Sequence, residues 1–258
     1  FNNASTPFGG SAGSGTQANV MTGGVGANVD FITQASTSHP LTISGGSIDV
    51  NPDGLTLNVN AGAGVTVSSP ITGSGPLILN INSTGFLTLS GALNTAGGVI
   101  LNKTGSGAYT LSGSLGAGLA SVSQTSSSGA LSLTGPLLVG SSGKTLIASG
   151  SSNLNVNGSV TGTGDLILKA NSNGLLFVDA GAGGVINITG NILNNGTGNT
   201  GVIGQMAGPP TTGTALLTGK IGTGVAKIIQ DSSTSALVLY EDNSNCCLLY
   251  TSPSPRDQ

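Results

Sequence analysis

Apolar positions in this chain recur as an alternating triplet, apolar-x-apolar, closed by Ser, Thr or Asn and then Gly or Ser. The phrase reads VTVSS from Val65, LTLSG from Leu87, YTLSG from Tyr109, LSLTG from Leu131 and LNVNG from Leu154. The steps are 22, 22, 22 and 23 residues, and ALLTG from Ala215 and LVLYE from Leu237 are again 22 apart. Alternation of period two sends the first and third residues of a triplet to one face, so Leu87 and Leu89 point in and Thr88 points out. A unit of this length cannot bury its own apolar face and must stack on copies of itself. The pattern therefore predicts an all-β fold, a single-stranded parallel β-helix (β-solenoid).

Five blocks align without gaps over 16 residues, starting at Val65, Leu87, Tyr109, Leu154 and Ala215; the block from Leu131 needs a small insertion around Ser141-Ser142-Gly143. The seventh place is apolar throughout (Ile71, Leu93, Leu115, Val160, Ile221, with Leu137 in the gapped block), and so is the fourteenth (Ile78, Ile100, Val122, Ile167, Ile228). Each rung then holds three short strands joined by Gly-rich bends, in about eight or nine rungs of about 22 residues. If the fourteenth side chains point inward, their neighbours Leu77, Leu79, Leu166 and Leu168 form an outward apolar stripe, the mark of a covering segment or lateral self-association. LNVNAGAG (57–64) and LFVDAGAG (176–183) read as an extra strand and turn inserted before Val65 and Ile186. A loop over 194–213, with Pro209-Pro210, is expected to project. These exceptions are where the tube is decorated, and where binding is to be sought. Three regions result: a loosely ordered Gly/Ser/Asn-rich segment 1–38, the solenoid 39–245, and a tail 246–258.

Composition narrows the partners. Charged residues make up only 6% of the chain against 37% hydrophobic, too little charge for a disordered polymer. The 45 glycines among Ser, Thr and Asn disfavour helix. Net charge is −3 with six Lys+Arg spread singly, which argues against a nucleic-acid partner. No apolar run reaches the roughly 18 residues of a membrane span. The chain begins at Phe1 and reads as a fragment. Cys247 to Asp257, CLLYTSPSPRD, resembles over all eleven residues the in-frame translation of a transposase-based sequencing adapter, so the tail is expected to be foreign and disordered.

Candidate chemistry is sparse. Asp49, Asn51 and Asp53, followed by Gly54, match the first half of a calcium loop. The twelfth place is Asn60 rather than Glu, and Asn-Pro-Asp-Gly is also a strong turn sequence. His39, the only histidine, precedes Pro40 without a nucleophile at any suggestive spacing. Asp165, Asp179 and Asp231 stand apart, whereas glycoside hydrolysis needs two converging carboxylates. No catalytic residue, resident cofactor or firm metal site emerges, and the expectation is a non-enzyme. The outward middle residues Thr66, Thr88, Thr110, Ser132 and Asn155 predict a ladder, with inter-rung bonding as its plainest use and an ice-binding face as a third functional reading. Asn80, Asn102 and Gln124 predict an amide ladder.

The segment Asn102-Lys-Thr-Gly-Ser-Gly-Ala-Tyr-Thr-Leu-Ser-Gly113 resembles the autotransporter-associated β-strand repeat, K-T-G-x-G-x-x-T-L-S-G, with weaker copies at 82–91 and 124–135 that lack the Lys. Filamentous-haemagglutinin-like exoproteins carry similar repeats. The resemblance covers about 65–170 and more loosely 171–240. It implies a right-handed β-helix in an extracellular or cell-surface bacterial passenger. The expected role is a structural or adhesive scaffold segment, meeting surface glycans or neighbouring cells; the alternative is a polysaccharide-binding or polysaccharide-cleaving β-helix.

Overall fold

A computed structural model describes residues 19–22, 31–34, 37–38, 40–60, 62–179, 185–198, 215–217, 220–239 and 249–251. Every named strand pair among them is parallel and in register with the neighbouring rung. The chain winds over three faces in turn, and so forms the expected β-solenoid. The first face is a ten-stranded sheet that includes Leu41–Ser44, Val65–Val67, Leu87–Leu89, Tyr109–Leu111, Leu131–Leu133, Leu154–Val156 and Leu176–Val178. The second carries Ile48–Val50, Ile71–Gly73 and Leu93–Thr95, then Leu137–Val139, Val160–Gly162, Val185–Ile188 and Lys220–Ile221. Isolated bridges of Leu115 to Leu93 and to Leu137 join its two halves. The third is again ten-stranded, with Leu55–Val59, Leu77–Ile81, Val99–Lys103, Ser121–Gln124, Lys144–Ala148, Leu166–Ala170, Ile192–Asn194 and Ile228–Gln230 among its strands.

Alternation makes the core. In Leu87–Leu89 the outer pair is buried and Thr88 half-buried, and in Leu77–Ile81 the pattern repeats over five residues. Register then superposes like on like: Leu41, Val65, Leu87, Tyr109, Leu131, Leu154 and Leu176 form one interior column, and Ile48, Ile71, Leu93, Leu115, Leu137, Val160, Ile186 and Ile221 another. Each fully buried Leu or Ile is worth roughly 2 kcal/mol of transfer from water, and strand backbones bond to rungs on both sides, so the tube holds itself together rung by rung. Sheet pairing reaches back to Asn19–Thr22, which pairs with Leu41–Ser44.

The third face corrects the alignment. Val99 pairs with Val122, not Ile100 with Val122, and Ile228 pairs through Ile192 with Leu166. The blocks from Tyr109 and Ala215 thus spend one extra residue before their third strand, and a one-residue slip turns every side chain of a strand over. In the rung of Tyr109 the extra residue sits in the bend Gly116–Leu119, where Leu119 turns inward and is fully buried. Leu77, Leu79, Leu166 and Leu168 are accordingly inside the tube, fully buried. The expected stripe of leucines does not exist. Its place outside is taken by half-buried Ile78, Ile100, Ile147, Ile167, Leu193 and Ile229.

Two further expectations change. Leu57–Val59 is not an insertion but part of a regular third-face strand, paired with Leu79–Ile81. Leu176–Val178 is an ordinary first-face strand, and INITG supplies the second-face strand instead of opening a rung, because Ile186 pairs with Val160. The strands that precede the two AGAG phrases therefore lie on different faces. The tail, expected to be disordered, contributes Leu249–Thr251 as a strand beside Ile228–Gln230: an open sheet edge offers unpaired N–H and C=O groups, and Leu-Tyr-Thr suits a strand.

Candidate functional site

The residues of the repeat motif are occupied with stacking. Asn102 donates to Asn80 at 2.9 Å, Asn80 to Asn58 at 2.8 Å, and Asn58 to Thr33 at 3.4 Å. Gln124 does not continue this ladder, since the slip turns it inward, and the Thr125 hydroxyl bonds the Asn102 amide oxygen in its stead. Thr104 bonds Asn82, which bonds Asn60. The tightly packed Gly105 and Gly107 have no room for a Cβ, which would run into the Ser83 and Gly85 carbonyl oxygens of the rung before. Tyr109 points inward, its hydroxyl 2.8 Å from the Leu79 carbonyl and 2.6 Å from that of Asn102; burial pushes the phenol's pKa up.

Among the described residues two lysines are buried. Lys103 is drawn below its usual pKa by burial. Lys144, 1% exposed, opens an inner column continued by Leu166, Ile192 and Ile228. Its Nζ donates to the carbonyls of Gly116 and Leu119 at 2.7 and 2.5 Å. The bend that caused the register slip aims these two oxygens inward, and the lysine satisfies them. Burial lowers its pKa to about 8. Such a perturbed amine can mark a reactive site, but here the group is enclosed and spent on backbone oxygens.

The calcium candidate lies on a turn. Asp49 projects from the second face and Asp53 is exposed, while the Asn51 side-chain oxygen accepts the Gly54 amide at 2.9 Å. No group of three or more His, Cys, Asp or Glu lies together among the described residues. Asp165 caps the next rung, accepting the Asn191 backbone and side-chain amides at 2.7 and 3.1 Å. Asp179 belongs to the groove described next, and Asp231 is exposed beside the third face. His39 and positions 199–213 of the projecting loop lie outside the described residues.

The threonine column is in register: Thr42, Thr66, Thr88, Thr110 and Ser132, then Asn155 and Phe177. The register continues to Leu216 and Val238, and before them, at Asn155 and Phe177, lies a site that the residue pattern singled out only in part. Asn153, Asn155, Asn157, Phe177 and Asp179 line an open groove of about 460 Å³ on the first face. Alternation explains it: three asparagines at every second position of one rung share the outer side, and Phe177 and Asp179 do the same on the next. Asn153 is tied down by accepting the Leu175 amide at 3.0 Å. The Asn155 side-chain oxygen is shielded from solvent and accepts no hydrogen bond. The signal was present in the sequence as the break from Thr/Ser to Asn and Phe, and in LFVD as one of the phrases marked for binding.

No family model, curated protein or solved structure matches this chain.

Proposed function

We propose that this chain is a scaffold segment of a large exported bacterial surface protein, a stiff non-catalytic spacer that carries adhesive features on its outer faces. The observation that supports the reading most is the use of the repeat's own polar residues. Asn58, Asn80, Asn102, Thr104 and Tyr109 form bonds between or along rungs, and Gly105 and Gly107 serve close approach. A repeat whose polar side chains are spent on stacking extends indefinitely at constant cross-section, which is what a stalk requires. The dispersal of Asp49, Asp165, Asp179 and Asp231 over different rungs and faces favours a non-catalytic role, because hydrolysis of glycosides needs paired carboxylates.

The test is expression of the complete gene with an epitope inserted at the exposed Thr84 or Ser141, followed by antibody labelling and protease shaving of intact cells. Labelling of unpermeabilised cells is the expected result. An epitope reached only after lysis overturns the export reading. A globular rather than rod-like scattering profile of the purified chain overturns the spacer reading.

A further inference from the structure

We propose that the groove lined by Asn153, Asn155, Asn157, Phe177 and Asp179 is a carbohydrate-binding site for neutral oligosaccharides. The inference gives the adhesive scaffold a ligand class, but it concerns the purified chain and does not depend on how that chain is exported.

The lining chemistry carries it. Three side-chain amides and one carboxylate offer both donors and acceptors for sugar hydroxyls. Phe177, half-buried, contributes the aromatic surface on which the C–H face of a pyranose packs. No lysine or arginine lines the groove, and Asp179 adds negative charge, so uronic and sialic acids are disfavoured and neutral sugars fit.

Geometry adds a second, independent observation. The site breaks the column it belongs to. Thr42, Thr66, Thr88, Thr110 and Ser132 are small and interchangeable, whereas Asn155 and Phe177 are large and unlike each other. The two rows lie one rung apart, about 4.8 Å, close to the length of one pyranose, and residues 153, 155 and 157 lie about 6.7 Å apart along the strand. Two or three sugar units thus span the groove.

The experiment is isothermal titration of the full chain with a panel of tetrasaccharides: gluco-, manno- and galacto-oligomers, with oligogalacturonate as the acidic counterpart. At least one neutral tetrasaccharide is expected to bind with a Kd in the micromolar to low millimolar range, with no matching signal from oligogalacturonate. Phe177→Ala and Asn157→Ala are each expected to weaken that binding about tenfold, the ratio of a lost stacking or hydrogen-bonding contact. Asn157 is exposed, so its substitution leaves the fold intact even if Phe177→Ala does not fold. Thr66→Ala, remote on the same face, is expected to leave binding unchanged. No binding of any neutral tetrasaccharide at 10 mM (roughly the weak limit of specific recognition), preference for oligogalacturonate, or binding indifferent to Asn157→Ala overturns the proposal. Each of these outcomes leaves the stalk reading standing, because that reading is tested on intact cells.

Discussion

Lys144 makes the stability of the solenoid rise with pH above neutrality. Its folded pKa is about 8, against 10.5 for a solvated lysine. A 2.5-unit displacement corresponds to about 3 kcal/mol. The sign follows from proton counts. Between pH 8 and 10.5 the unfolded chain holds a proton at this position that the folded chain has released, so unfolding becomes harder as pH rises through that window. Below pH 8 both states are protonated, and the full destabilisation by about 3 kcal/mol is present. From pH 7 to pH 9.5 the gain amounts to about 2 kcal/mol, roughly 4–8 °C in melting temperature for a chain of this size. Lys103, also lowered by burial, acts in the same direction. Tyr109 acts oppositely: its raised phenol pKa means that above pH 10 the unfolded chain loses a proton that the folded chain keeps, so stability turns down again. The assay is thermal unfolding followed by circular dichroism at pH 7, 8, 9 and 9.5, on the parent and on Lys144→Met. The variant loses two bonds to the Gly116 and Leu119 carbonyls but also the cost of enclosing an amine, two effects of similar size, so its midpoint at pH 7 decides little. Its pH slope decides. The variant is expected to lose most of the rise between pH 7 and 9.5. A parent midpoint that stays level over this range, or an equal rise in Lys144→Met, refutes the reasoning.

Gly73→Ala should lower stability by more than about 2 kcal/mol, because φ is +127° and the new Cβ meets the backbone of Val50 in the preceding rung; exposed Ser74→Ala is the matched control and should shift the melting midpoint by little. Asn80→Ala removes the central member of the amide ladder and is expected to cost about 1–2 kcal/mol by denaturant titration, whereas Asn80→Gln restores part of it only if the longer amide still reaches Asn58 and Asn102. Tyr109→Phe should cost about 1–2 kcal/mol and delete the latest phase of phenol ionisation at 295 nm in alkaline titration; a parent in which every tyrosine ionises near pH 10 contradicts the buried hydroxyl.

The groove shows why chemistry was harder to read than architecture. Phe177 and Asp179 lie in the phrase LFVD, and Asn153, Asn155 and Asn157 in NLNVN, separated by a rung of sequence. Nothing local says that these residues are neighbours. The parallel register pairs Asn155 with Phe177, and only that pairing turns two ordinary strands into a lined depression. Lys144 is similar. In sequence it looks like one of six scattered cations, yet its environment is set by a bend about 25 residues earlier whose carbonyls face inward.

The fold class, the three-strand rung and the interior columns of the first and second faces are written in the chain itself. Period-two alternation and a 22-residue step admit few other ways to hide Leu87, Leu89 and Leu93 together, because an apolar column is buried only when like stacks on like. The third face was decided by tertiary structure. Whether Val122 or its neighbours face inward depends on one extra residue in the bend at Gly116–Leu119, and a Gly-rich bend absorbs an extra residue without leaving a mark in the apolar pattern. The hand-over of a whole strand from one face to the other is a discrete event: side chains alternate with period two, so a shift of one residue exchanges inside for outside.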